Sequence, residues 1–384
     1  MNIQEFISHY KNHPVLFIGT GFSLRYLKNA YSWDGLLSKI SLELTDNAEF
    51  YYDLKASCML SGVCHFDRLA TKLEKEFNQR LSKERDGKFK EINTVFYENM
   101  KKNIKLSRFK IYISSLFSQL KIREERQEEI SDLIKARKNM GSVITTHYDG
   151  LIEKFFNFTP LIGNDILLSN PYGSVYKIHG CAQDPCNIII THEDYAHFNN
   201  KYELIRSHLL SLFIHNPIVF IGYSISDQNI KYLLKTVFSY VNVNTELAKR
   251  IRDNFLLIEY QKGTDSIDIT EHDIEIEGMA TIRINKIKTD NYKAIYDALS
   301  RLVLPVSARD IRKVQKVWNT IISGGEIKVK ITENIDDLKN EERVIAVGSE
   351  KTLSYEFQTK SEMRQNYFSI IDEAKGKMVE SLNK

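Results

Sequence analysis

Four short polar stretches in this 384-residue chain carry residue types suited to chemistry on a nucleotide. The first is Gly19-Thr20-Gly21-Phe22-Ser23, placed between an apolar run and a helical pattern that contains Trp33, Leu36, Leu37 and Ile40. A buried strand that breaks into glycines and then a helix lets backbone approach a pyrophosphate, with the N–H groups of the helix start facing the negative charge. The third glycine of a full dinucleotide fingerprint is missing, because Ser23 and Leu24 stand where it should be approached. Taken alone, this stretch is explained equally well as a buried strand with a tight turn. The second stretch is Thr145-Thr146-His147-Tyr148-Asp149, and the third is Lys177-Ile178-His179-Gly180. The fourth is Gly222-Tyr223-Ser224-Ile225-Ser226-Asp227. The middle two each bring a histidine, whose unperturbed titration lies near neutrality and therefore suits proton transfer.

The elements that must position these residues are short apolar runs. Residues 15–18, 142–146, 175–178, 187–191, 217–221, 254–260 and 280–284 read as strands, and helical patterns alternate with them. Such alternation predicts an α/β fold, a Rossmann-like doubly wound parallel sheet covered on both faces. Ligands in these sheets sit at the carboxyl ends of strands, and all four polar stretches follow directly on such runs. Residues 33–139 differ: proline is absent, glycine is rare, and apolar residues recur at helical spacing. Phe66, Leu69, Ala70 and Leu73 mark one helix, Val95, Tyr97 and Met100 a weaker one, and Tyr112, Ile113, Leu116, Phe117 and Leu120 another. The block reads as a helical insertion within a nucleotide-binding domain spanning residues 1–305. Residues 306–384 read as a small α/β appendage for assembly or partner binding. Its parts are a helix over 308–322, an alternating strand over 326–331, an acidic loop over 333–342 and a last helix carrying Tyr367, Ile370, Ile371 and Ala374.

Composition bounds the rest. Hydrophobic residues make up 42% of the chain, enough for one large core or two modest ones. The formal net charge is +3 with acids and bases interspersed, which demands neither a nucleic-acid nor a membrane partner. No apolar run is long enough to cross a bilayer, and the first residues lack the apolar core of a secretory signal, so a cytoplasmic protein is expected. The four cysteines, Cys58, Cys64, Cys181 and Cys186, are few and lack the paired spacing of a zinc ribbon, so no metal is predicted.

In order and spacing the four stretches resemble the sirtuin superfamily, most closely its bacterial sirtuin-like branch of antiphage NADases. The Trp33-Asp34 pair and the run from Ile190-Thr191 to Asp194-Tyr195 are similar to that branch too. The resemblance covers residues 14–300 and implies a site for NAD as substrate. It places Gly19, Thr20, Gly21, Phe22 and Ser23 on phosphate and ribose, and Thr145, Thr146, Asp149 and Gly180 about the nicotinamide ribose. Gly222, Tyr223, Ser224 and Asp227 would close over the adenosine half, and His179 would act on ribose hydroxyls or water. Cleaving the bond between nicotinamide and ribose builds positive charge on the sugar, so the site must hold the ribose, shelter that charge and deliver a nucleophile.

Two departures from the resemblance bear on activity. Deacylating sirtuins carry a four-cysteine zinc module that this chain lacks, which favours NAD hydrolysis over protein deacylation. The family's asparagine between Thr146 and Tyr148 is replaced by His147, a second catalytic candidate. A neutral imidazole offers one donor and one acceptor, but it is bulkier than an amide and can become charged. A non-catalytic NAD or ADP-ribose binding scaffold is therefore the other alternative. Uncontrolled NAD depletion kills a cell, so the resemblance implies regulation. It implies a homo-oligomer and a separate activator, for which a HerA-type ATPase, an argonaute-like protein or a phage protein are the candidates.

Overall fold

Val15–Ile18, Val143–Thr145 and Ile218–Ile221 are buried at every residue, and a strand with no wet face needs cover on both sides. The computed structural model supplies it. It describes residues 1–168, 172–201, 203–223, 245–274, 282–322, 327–330 and 353–356. The chain divides into two compact units, residues 1–303 and 304–384.

In the first unit, strand β1 (Val15–Ile18) precedes a small hairpin of β2 (Met59–Leu60) and β3 (Val63–Cys64). Strands β4 (Val143–Thr145), β5 (Thr159–Ile162), β6 (Ser174–Lys177), β7 (Ile218–Ile221), β8 (Phe255–Tyr260), β9 (Thr270–Ile274) and β10 (Ile282–Thr289) then complete the main sheet. Its order is β5-β6-β4-β1-β7-β8-β10-β9, parallel throughout except for β9, which runs antiparallel to β10. This is the α/β doubly wound arrangement that the apolar runs predict. One face packs Phe17, Ile144, Tyr176, Phe220 and Leu257 against Leu209, Leu212 and Phe213 of the helix Glu203–His215.

Register decides where the polar stretches fall. Thr145 pairs with Ile18 on one side and Lys177 on the other, and Ile18 pairs with Ile221. Four neighbouring strands therefore end in one row, and a polar stretch continues from each. From β1 the chain goes to β4 on one side and later returns to β7 on the other. The crevice at this switch of direction is where doubly wound sheets bind ligands.

The insertion forms its own core from Leu37, Ile40, Leu69, Leu73, Phe77, Phe109 and Phe117. Two expectations need correction, and one expected helix is present but turns other residues inward. Residues 187–191 are not a strand: Ile188 and Ile190 leave the sheet and join the insertion core, where apolar partners are available. In the helix Lys90–Lys101 the buried positions are Ile92 and Asn93, while Val95, Tyr97 and Met100 are exposed. The insertion also ends before residue 139, since the helix Gln127–Ala136 packs on the helix Tyr292–Ser300 of the sheet's own layer.

In the second unit the helix Ala308–Ile322 precedes a parallel pair, β11 (Ile327–Lys330) with β12 (Leu353–Glu356). The expected acidic loop over 333–342 and the last helix with Tyr367, Ile370, Ile371 and Ala374 lie outside the described residues. No helix of the described residues is long and apolar enough to cross a membrane.

The helix Thr20–Tyr26, which follows the glycine turn, is fixed by a buried guanidinium. Arg25 donates from Nε and Nη2 to the Glu129 carboxylate at 2.5 and 2.8 Å, and from Nη1 to Asp290 Oδ1 at 2.8 Å. Its Cζ lies 3.9 Å from the centre of the Tyr292 ring. Tyr26 adds a hydroxyl bond to Glu129 at 2.5 Å. Breaking a buried pair leaves an uncompensated charge, which costs about 3–5 kcal/mol. Arg25→Met should cost that much in urea unfolding, and Glu129→Gln added to it should recover part of the loss. A cost below about 1 kcal/mol would show that this pair does not hold the helix in place.

Candidate active site

The first and fourth stretches interlock through backbone. Gly19 N–H donates to Ile221 O at 2.8 Å, and Gly21 N–H donates to Gly222 O at 2.9 Å. Gly222 has φ +80°, and a Cβ there would lie 2.4 Å from Phe22 N and 2.8 Å from Gly19 O. A Cβ on Gly21 would lie 2.9 Å from Gly222 Cα. The glycines thus let two strand ends meet at van der Waals distance, and the Gly21 N–H is already bonded within the protein. Thr20 opens the helix Thr20–Tyr26, while Phe22 turns inward onto Tyr26, with ring centres 4.8 Å apart. Tyr223 lies over Gly19, and its hydroxyl meets Thr146 Oγ1 at 2.9 Å. Ser224 and Asp227 lie outside the described residues.

The second stretch builds a polar cluster around Asp149. Thr145 Oγ1 donates to Ile18 O at 2.9 Å and accepts the His147 N–H at 3.0 Å, which turns the chain at the end of β4. Two residues on, Asp149 Oδ1 accepts the Leu151 N–H at 3.0 Å and so stabilises the start of the helix Leu151–Phe156. Asp149 Oδ2 lies 2.6 Å from His147 Nδ1 and accepts the Ser23 hydroxyl at 2.7 Å. Behind it the Lys177 ammonium donates to the Asp149 main-chain carbonyl and, at 2.8 Å, to Glu153 Oε1. Burial alone would raise the Asp149 carboxyl. The His147 ring, the hydrogen bonds from His147 and Ser23 and the Lys177 charge outweigh burial and hold it well below the usual carboxylate range. The His147 ring also meets the edge of Phe117 from the insertion, at 5.4 Å between centres.

The third stretch places His179 in a different setting. Its ring stands edge-on to Tyr195 at 5.3 Å and near Phe198 at 6.2 Å, with Nδ1 at 3.4 Å from the Tyr195 hydroxyl. Trp33 reaches this group through Tyr195, 6.3 Å between ring centres. Burial pushes the His179 imidazole down to about 4. Gly180, at φ +88°, lets the carbonyl of Asn187 approach to 2.2 Å from where a Cβ would stand. Main-chain bonds tie the stretches together: Ile178 N–H donates to Thr145 O at 3.0 Å, and Ile189 N–H to His179 O at 2.9 Å.

The structure thus draws Ser23, His147 and Asp149 into one contact group, and Gly19, Thr146 and Tyr223 into a second. His179 is joined to them through main-chain bonds. Lys177 is the residue whose role the sequence reading missed. A lysine closing an otherwise apolar strand just before a histidine was the available signal. The four cysteines are free thiols. A cavity of about 660 Å³ lies at the opposite end of the sheet, between Phe6, Tyr10, Pro217 and Asn254, and no residue of the four stretches lines it.

Residues 141–268 match a family model described as a SIR2-like domain. The NAD(+) hydrolase ThsA of Enterococcus faecium is 25% identical over 177 residues, which cover 41% of this chain and 36% of that protein. Defense-associated sirtuin 2 of Bacillus subtilis is 32% identical over 108 residues, covering 26% of this chain and 11% of the relative. The NAD(+) hydrolase ThsA of Cytobacillus dafuensis is 20% identical over 317 residues, 78% of this chain and 55% of the relative. This chain therefore spans less than two thirds of the length of each.

The setting of His179 has a consequence for stability. Its unfolded value is near 6.5 and its folded value about 4, so between them the unfolded chain binds the extra proton. The contribution is complete above pH 6.5 and is lost as pH falls toward 4, roughly 3 kcal/mol in all. His179→Gln should flatten the pH dependence of urea unfolding in that window. A variant that keeps the wild-type slope would show that the imidazole is not held neutral.

Proposed function

We propose that this chain, whose residues 141–268 match a SIR2-like domain, hydrolyses NAD to nicotinamide and ADP-ribose. The observation that carries the proposal is the row formed by Lys177, Thr145, Ile18 and Ile221. Four adjacent parallel strands end level, and two histidines, a buried carboxylate and a glycine turn follow directly on them. Breaking the nicotinamide–ribose bond calls for that equipment: groups that hold the ribose, stabilise developing positive charge and accept a proton from water. His179, held neutral by burial, suits a hydrogen-bond acceptor for a ribose hydroxyl. The glycine turn and Tyr223 would border the diphosphate and adenosine side.

The names of the relatives support placing this activity in antiphage defence, as an effector that depletes NAD. Such an effector must be silent until needed. We propose a homo-oligomer switched on by a separate activator, with the 304–384 unit as the contact surface.

Chromatography of NAD incubated with the protein, alone and with the product of a neighbouring gene, tests this reading. Nicotinamide and ADP-ribose should accumulate in equal amounts, and His179→Ala should lower the rate at least about 100-fold while the protein stays folded. Acyl-lysine turnover without free NAD hydrolysis would assign the site to deacylation. Ligand binding with no release of nicotinamide under either condition would assign it to a scaffold.

A further inference from the structure

We propose that His147 and Asp149 form an aspartate–histidine pair that activates the attacking water, with Ser23 supporting the carboxylate; this rests on the NAD-hydrolysis reading. The imidazole has one nitrogen committed and one open. Nδ1 faces Asp149 Oδ2 at 2.6 Å, and Nε2 has no hydrogen-bond partner among the described residues. Asp149 is itself fixed from three sides. Ser23 Oγ donates to the same Oδ2 at 2.7 Å, Leu151 N–H holds Oδ1 at 3.0 Å, and the buried Lys177 ammonium holds the main-chain carbonyl. Ser23 stands 3.4 Å from Nδ1, so the serine backs the carboxylate and leaves Nε2 clear. An ionised carboxylate accepts only, so the proton between Nδ1 and Oδ2 belongs to Nδ1, and whenever the ring carries a single proton its lone pair is on Nε2. The Phe117 ring packs perpendicular to the imidazole, with centres 5.4 Å apart.

The step balances as follows. The bond between ribose C1′ and the nicotinamide nitrogen breaks, its electron pair leaves with nicotinamide, and the sugar carries the positive charge. Water oxygen bonds to C1′ while one of its protons passes to His147 Nε2. The resulting imidazolium is stabilised through Nδ1–H by Asp149 and later releases its proton to solvent. His147 is the catalytic residue here, and Asp149 and Ser23 are positioning residues. An amide at position 147 could hold water but could not take the proton. The pair therefore acts on the water and not on the breaking bond.

That distinction sets the experiment. Nicotinamide exchange, followed by incorporation of labelled nicotinamide into NAD, needs bond cleavage but no water. Wild type, His147→Asn and Asp149→Asn are compared, with the activator present where wild type requires it. In both variants ADP-ribose formation should fall about 10²-fold or more, and the ratio of exchange to hydrolysis should rise by a similar factor. A general loss of site structure would lower both reactions together and leave the ratio unmoved, which would overturn the proposal. So would hydrolysis that continues at the wild-type rate in either variant. Long-range proton–nitrogen spectra of histidine-labelled protein provide a readout independent of turnover. The His147 ring should carry its proton on Nδ1 in wild type, and a proton on Nε2 alone would refute the pairing. If wild type cleaves no NAD at all, the functional reading fails as a whole. If cleavage persists while the ratio stays fixed, only the pair is refuted.

Discussion

A carboxylate sealed inside a protein must be met by donors on every side, and Asp149 is that carboxylate here. Only 4% of it is exposed. Left bare, it would take up a proton or expel the segment that carries it. Its partners come from two places, Ser23 after β1 and His147 and Leu151 of its own loop, while Lys177 from β6 bonds its main-chain carbonyl and adds a nearby positive charge. The ionised state of one side chain therefore depends on three strands ending level. Shifting one of them by a single residue would move its polar stretch to the other face of the sheet.

The glycines serve the same alignment. Strands β1 and β7 come together so closely at their ends that the backbone of residues 19–22 rests on Gly222. This contact brings the helix Thr20–Tyr26 to the crevice with Ser23 pointing at Asp149. Arg25, two residues further on, anchors the far side of that helix to Glu129 and Asp290. A helix of seven residues has little stability of its own, and here tertiary contacts at both of its faces fix it.

Much of the sheet was legible because β1, β4, β7 and β8 are continuous apolar runs, and such runs have few alternatives to a buried parallel strand. The edge strands were not. β5 begins Thr159-Pro160, and β9 is the polar stretch Thr270–Ile274; each lies on a border of the sheet, where one side needs no apolar partner. Ile188 to Ile190 misled for the opposite reason. Three isoleucines read as a strand, but the insertion offered Ile188 and Ile190 a second core. The site's residues were legible as four stretches, whereas its bonds were not. Arg25 and Glu129 lie 104 positions apart, and no spacing rule joins them. The contact between His147 and Asp149 is close in sequence, yet it requires the turn that Thr145 imposes.

The two histidines divide the work by environment. His179 stands among aromatic rings, with a tyrosine hydroxyl as its polar neighbour and no carboxylate against it among the described residues. Burial there penalises the charged ring, which suits His179 to the acceptor role proposed for it. His147 has an ionised carboxylate at 2.6 Å that would stabilise the charge produced by taking a proton. A reaction that needs one group to orient a sugar hydroxyl and another to receive a proton from water is best served by unlike histidines. When two titratable groups share a site, the difference in their surroundings assigns their roles. By that argument position 147 is where the proposed mechanism sends the proton, because an imidazole can accept one and an amide cannot.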